Sequence, residues 1–186
     1  SNPNSKPITL YDRNYQDIYS DPGSFLKTRN TFNKSVLMLH KGSAFLRGAG
    51  FSEEGQFPFI DKVNITTLNK SRVYQSKYTD KVEAIQDYNP ATNELIVRIE
   101  SPTEYPNYYS KKTNGKGLTK ITDFENPFEE LKNVKKEVIT YKRDDGLELS
   151  GILYLPVNYD EEKKEKAPMI LWAYPREFKD LSLIHI

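Results

Sequence analysis

Glu137-Val138-Ile139-Thr140-Tyr141-Lys142-Arg143-Asp144-Asp145-Gly146-Leu147-Glu148-Leu149-Ser150-Gly151-Ile152-Leu153-Tyr154-Leu155-Pro156 is the stretch that decides how this chain folds. Two runs rich in β-branched, aromatic and leucine side chains, Glu137 to Lys142 and Leu147 to Leu155, flank Arg143-Asp144-Asp145-Gly146. Asp-Gly between such runs is a strong hairpin signal, because glycine takes the positive φ that tight turns demand. Pro156 closes the second run, having no N–H to give to a ladder. The charged residues from Asp160 to Lys166 predict a solvated loop. Met169-Ile170-Leu171-Trp172-Ala173 is apolar throughout, as a central strand covered on both faces would be. The pattern predicts that strand in one sheet with the hairpin.

Upstream the chain is also strand-rich. Ser20-Asp21-Pro22-Gly23-Ser24 is a turn in which Pro22 presets φ and Gly23 accepts the positive φ that follows. Ser35 to His40 is an apolar run, Ala44 to Arg47 another, and Gly48-Ala49-Gly50 breaks it. Alternation within Phe57 to Thr67 and the run Arg72 to Ser76 complete a first set. A second set follows: Val82 to Ile85, Glu94 to Ile99, Asn107 to Ser110, and Leu118 to Thr122 after the Asn114-Gly115 turn. The turns starting at Thr67 and Thr113 are equivalent and lie 113 − 67 = 46 residues apart. Propeller blades repeat at roughly 40–50 residues, so two four-strand units fit at about 36–77 and 82–122. An antiparallel sandwich with the same strand lengths remains open. After Asp123 the composition shifts: Phe124 to Pro127 is a loop and Phe128 to Asn133 a helical turn. A domain boundary between Asp123 and Lys135, with a core on each side, is the expectation. A hairpin followed by a fully apolar strand is how an α/β-hydrolase sheet begins.

Composition excludes several classes. The 186 residues carry 27 basic and 26 acidic side chains, for a net charge of +1, which argues against nucleic acid as a partner. No apolar run approaches the ~20 residues of a membrane span. Cysteine is absent and only His40 and His185 could offer imidazole, so neither a disulfide nor a metal site is expected, and no cofactor is called for.

Several motifs together resemble the prolyl oligopeptidase family of serine peptidases. Tyr141 to Gly146, Leu153-Tyr154-Leu155-Pro156 and Leu171-Trp172-Ala173-Tyr174-Pro175 are similar to the entry into its catalytic domain. Asp17 to Ser24, Glu54 to Phe59 and Glu100 to Asn107 are similar to its glutamyl endopeptidase branch. The resemblance implies a mainly β segment: residues 1–134 as the last part of a β-propeller, and 135–180 as the first strands of an α/β-hydrolase domain. It implies a peptide substrate cleaved after glutamate by a Ser-Asp-His triad. No Gly-x-Ser-x-Gly nucleophile elbow occurs in the chain, so the triad is expected beyond it and the fragment alone is expected to be inactive. Leu181 to Ile186 departs from the polar loop the family would show and reads as a foreign or frame-broken tail, which removes Ser182 and His185 from consideration.

One residue stands out for chemistry. Tyr174 follows an apolar strand, where active sites of α/β sheets open, and the resemblance implies that its hydroxyl donates to the oxyanion of the tetrahedral intermediate. Arg176 is a lesser candidate, able to hold an acidic side chain. His40, Tyr108, Tyr109 and Trp172 read as packing residues. The rival reading is a non-catalytic β-rich binding module.

Overall fold

Short hydrogen-bonded strands dominate the structure, a computed structural model that describes residues 6–160, 162–163 and 166–173. In chain order they are β1 (Ser24–Phe25), β2 (Lys27–Arg29), β3 (Ser35–Leu37), β4 (Leu39–His40), β5 (Ser43–Gly48), β6 (Phe51–Ser52), β7 (Gly55–Gln56), β8 (Phe59–Asn64), β9 (Lys70–Gln75), β10 (Val82–Asn89), β11 (Glu94–Glu100), β12 (Asn107–Lys112) and β13 (Thr119–Lys120). A 3₁₀ turn at Glu129–Leu131 precedes β14 (Lys135–Lys142) and β15 (Glu148–Leu155). The chain is mainly β. No helix among the described residues is long and apolar enough to cross a membrane.

The chain divides into two units between Phe124 and Glu125, with Pro102–Glu104 counted in the second. In the first unit, one antiparallel sheet runs β1-β5-β8-β9, with β4 also paired to β5. A second runs β10-β11-β12-β13, each strand beside its sequence neighbour. Both sheets feed one core: Phe45, Ile60 and Tyr74 from the first, Ile85, Tyr88, Leu95, Val97 and Ile99 from the second, with Leu26 added from the link between β1 and β2. The rings of Phe45 and Tyr88 meet edge to face at 5.4 Å, a favoured aromatic geometry. A bulge between Ile85 and Asp87 makes this possible. Without the extra residue, strand alternation would turn Tyr88 away from the face that carries Glu83 and Ile85.

Three hairpins use one turn. In Asn30–Lys34, Lys112–Lys116 and Arg143–Leu147 the first residue's carbonyl accepts from the fourth N–H, and its own N–H donates to the fifth carbonyl. The fourth residue holds positive φ each time: Asn33 at 57°, Gly115 at 78°, Gly146 at 84°. This is a type I turn with a following bulge. The Asn-Gly and Asp-Gly signals thus work by supplying the left-handed position, which Asn33 also tolerates.

In the second unit β14 and β15 pair antiparallel in unbroken register from Lys135↔Leu155 to Lys142↔Glu148. Two expectations need correction here. Met169–Ala173 forms no strand: Met169 to Trp172 are exposed, Ile170 by 95%. Apolarity makes a strand only where another edge offers hydrogen bonds, and the described residues place none beside it. Nor do the described residues of this unit form a core, since none of them is buried. In the first unit the run Ser35 to His40 is likewise not one buried strand. It splits at Met38, β3 pairing with β2 and β4 with β5, and Val36, Leu37 and Leu39 stay exposed at the sheet margin.

Candidate functional site

Tyr174, the residue singled out for oxyanion stabilisation, lies outside the described residues, as do Arg176, Ser182 and His185. Trp172, expected to pack, is exposed. His40 is half-buried at the end of β4, in register with Ser43. Tyr109 packs against the core, and Tyr108 lies edge to face with Phe124. Among the described residues no group of three His, Cys, Asp or Glu side chains could hold a metal.

What the structure brings together instead is a polar cluster inside the first unit. Glu83 on β10 and Lys111 on β12 are both buried and form an ion pair. Tyr74 on β9, in the opposite sheet, donates its hydroxyl to Glu83 Oε1 at 2.7 Å. Lys111 Nζ donates to that same hydroxyl oxygen and to Glu83 Oε2. The ammonium also stands 4.7 Å from the Tyr74 ring centre and 5.3 Å from that of Tyr78, within cation–π range. One negative and one positive charge are thus enclosed with their lone pairs and protons directed at each other, the condition under which buried charge is tolerable. Burial pushes the Tyr74 phenol well above its ordinary value, and the hydrogen bond to Glu83 pushes it the same way. The phenol therefore keeps its proton and acts as the donor.

A second polar tie lies on the same strand. The bulge leaves Gln86 without a ladder partner, and Arg47 of β5 donates to the carbonyls of Ile85 at 3.1 Å and Gln86 at 2.5 Å. Both ties join β10 to the first sheet. In that sheet Arg72 lies 3.9 Å from the ring centre of the buried Phe59 and pairs with Asp61 at 2.5 Å and 3.2 Å.

Sequence reasoning missed the cluster, although a signal existed. Alternation puts Lys111 in line with the inward Asn107 and Tyr109, and Glu83 in line with Ile85. Opposite charges at two inward positions, on strands that flank β11 in one sheet, call for each other.

No protein-family model matches the chain. Proteins of Oryza sativa subsp. japonica and Arabidopsis thaliana, each named "Probable glutamyl endopeptidase, chloroplastic", are 36% and 34% identical to it over 188 aligned residues. The alignments cover 93% of this chain and 20% of each relative, so the chain spans about a fifth of their length. Among solved structures, the apo form of AtxE2 isopeptidase is 14% identical with a TM-score of 0.36, over 73% of this chain and 22% of its own. A variant of that isopeptidase with Astexin3-dC4 bound is 13% identical with a TM-score of 0.37, over 78% and 23%. Likeness at that level carries no conclusion about fold or function.

Proposed function

Since the chain belongs to the glutamyl endopeptidase family, we propose that it is a segment of a serine endopeptidase that hydrolyses peptide bonds after glutamate. The observation that carries this is the identity of 36% sustained over 93% of the chain, across motifs that fall in the family's order. The whole protein would take a peptide as substrate and need no cofactor. Within the segment, residues 1–134 are the last part of a β-propeller, with blades at about 36–77 and 82–122. Residues 135–180 open the α/β-hydrolase domain, and 181–186 are a tail foreign to it. The meander β10-β11-β12-β13 supports the blade reading, because a blade is a four-stranded antiparallel sheet. The β14–β15 hairpin supports the hydrolase reading.

Chemically, attack by a serine on the scissile carbonyl moves negative charge onto its oxygen. Donors fixed where that charge develops lower the barrier without reorganising. A backbone N–H beside the serine supplies one such donor and the Tyr174 hydroxyl the other. The serine, acid and histidine lie outside these 186 residues, which contain no Gly-x-Ser-x-Gly, so the segment alone hydrolyses nothing.

The test is an assay of the complete protein on peptides that differ only in Glu, Asp or Gln before the scissile bond. Cleavage after Glu, abolished by a serine-directed phosphonylating reagent, is expected. Hydrolysis indifferent to Glu, or resistant to the reagent, would overturn the proposal. The absence of a strand at Met169–Ala173 favours the rival, a non-catalytic β-rich binding module, and that reading predicts no hydrolysis of any of the three.

A further inference from the structure

The core between the two sheets is built from side chains that do not specify direction. Phe45 and Ile60 on one side face Ile85, Tyr88, Leu95, Val97 and Ile99 on the other, and such a surface tolerates more than one seating of comparable burial. The Tyr74–Glu83–Lys111 cluster is directional. Its three members come from β9, β10 and β12 and bond to one another, and the buried Ser76 side chain also bonds to Tyr74. Moving β9 by one residue would turn Tyr74 to the opposite face and leave the pair without its hydroxyl. We infer that Tyr74, Glu83 and Lys111 act as one coupled latch that selects a single seating of the first sheet on the second, a conformational role rather than a contribution to stability. Buried ion pairs seldom stabilise relative to apolar replacements of similar volume, yet breaking one by removing a single partner is strongly destabilising. That asymmetry separates a latch from ordinary packing.

The experiment uses the whole 186-residue chain, read by chemical denaturation and by methyl NMR of Ile60, Ile85 and Val97. Lys111→Met and Glu83→Gln should each raise the unfolding equilibrium constant about 10²–10³-fold. The double variant Glu83→Leu with Lys111→Met should recover most of that loss, while each methyl group of these three residues splits into more than one resonance in slow exchange. Recovery with single sharp methyl resonances would overturn the inference, because the seating would then be fixed without the latch. So would a double variant no more stable than the worse single one, or single variants equal to wild type. If the single variants fail to fold, Tyr74→Phe decides, since it removes one hydroxyl and keeps the ring. It should fold and split the Ile60 and Ile85 methyls; unsplit methyls at wild-type stability would overturn the inference.

Discussion

Gly50 sits at φ +68°, and a Cβ built there would overlap the backbone carbonyl oxygen of Phe57, whose N–H in turn donates to Gly50 at 2.8 Å. Gly115 has a similar φ of +78° but open space around it. The first therefore combines a conformational demand with a close approach, and the second has the demand alone. Gly115→Ala should cost about 1–2 kcal/mol, and Gly50→Ala roughly 1–3 kcal/mol more, measured by urea denaturation. Equal costs would show that the Gly50 contact relaxes freely. Breakers of this kind are legible from the sequence, Gly50 as part of the break after Ala44 to Arg47 and Gly115 as part of the Asn114-Gly115 turn. Lys111 was harder to read. A lysine near the end of a polar strand looks solvated until its inward phase and its partner Glu83 are considered together. For the proposed chemistry the decisive residue is Tyr174. Tyr174→Phe in the complete protein should lower kcat by about 10²–10³-fold with little change in KM or thermal stability. A variant keeping more than about half the wild-type kcat would remove the hydroxyl from the mechanism, provided chemistry limits the rate.

The hairpin β14–β15 was legible because its information is local. Asp145 accepts from the Leu147 N–H at 3.2 Å and pairs with Arg143 at 2.9 Å and 2.5 Å, so the turn carries its own bonding pattern. The Arg143 guanidinium, with help from the Leu147 N–H, holds the Asp145 carboxyl below the usual carboxylate value. A carboxyl depressed in the folded turn favours that turn while ionised. The contribution is present at neutral pH and fades as pH falls through the depressed value, below the point where an ordinary Asp titrates. Chemical shifts of the Gly146 amide should report that low midpoint, and Asp145→Asn should flatten the curve. A midpoint at the ordinary Asp value would show that the pairing does not persist in solution. Met169–Ala173 marks the opposite case. Its composition suits a buried strand, but a strand is a relation between two edges, and composition names only one. The divided run Ser35 to His40 teaches the same lesson, because its two halves answer to different neighbours.

At the scale of the whole chain, protection from solvent is unevenly shared. The first unit has a five-stranded and a four-stranded antiparallel sheet meeting in one core, with Ile60, Leu95 and Val97 fully enclosed. The second has a hairpin whose apolar side chains remain open, Val138 by 73% and Ile152 by 62%. An isolated two-stranded hairpin is marginal in water, and opening free energies range from near zero at such elements to the global value in the core. Composition could not reveal this division, because Val138, Ile139, Ile152 and Leu153 look as buriable as Ile96 to Ile99; what differs is the layer available to cover them. Hydrogen exchange of the 186-residue chain should therefore show amides of β8 and β11 exchanging only through unfolding of the first unit. Amides of β14 and β15, though equally hydrogen-bonded in register, should exchange at least about 10²-fold faster, since ~3 kcal/mol separates even a modest core from a marginal hairpin. Denaturant should slow nothing and should accelerate β8 and β11 steeply while leaving β14 and β15 nearly unchanged, because little surface is exposed when a hairpin opens. Equal protection across all four strands would mean that the hairpin draws its stability from a layer not visible in its own burial, and the separation into one cored and one coreless unit would fall.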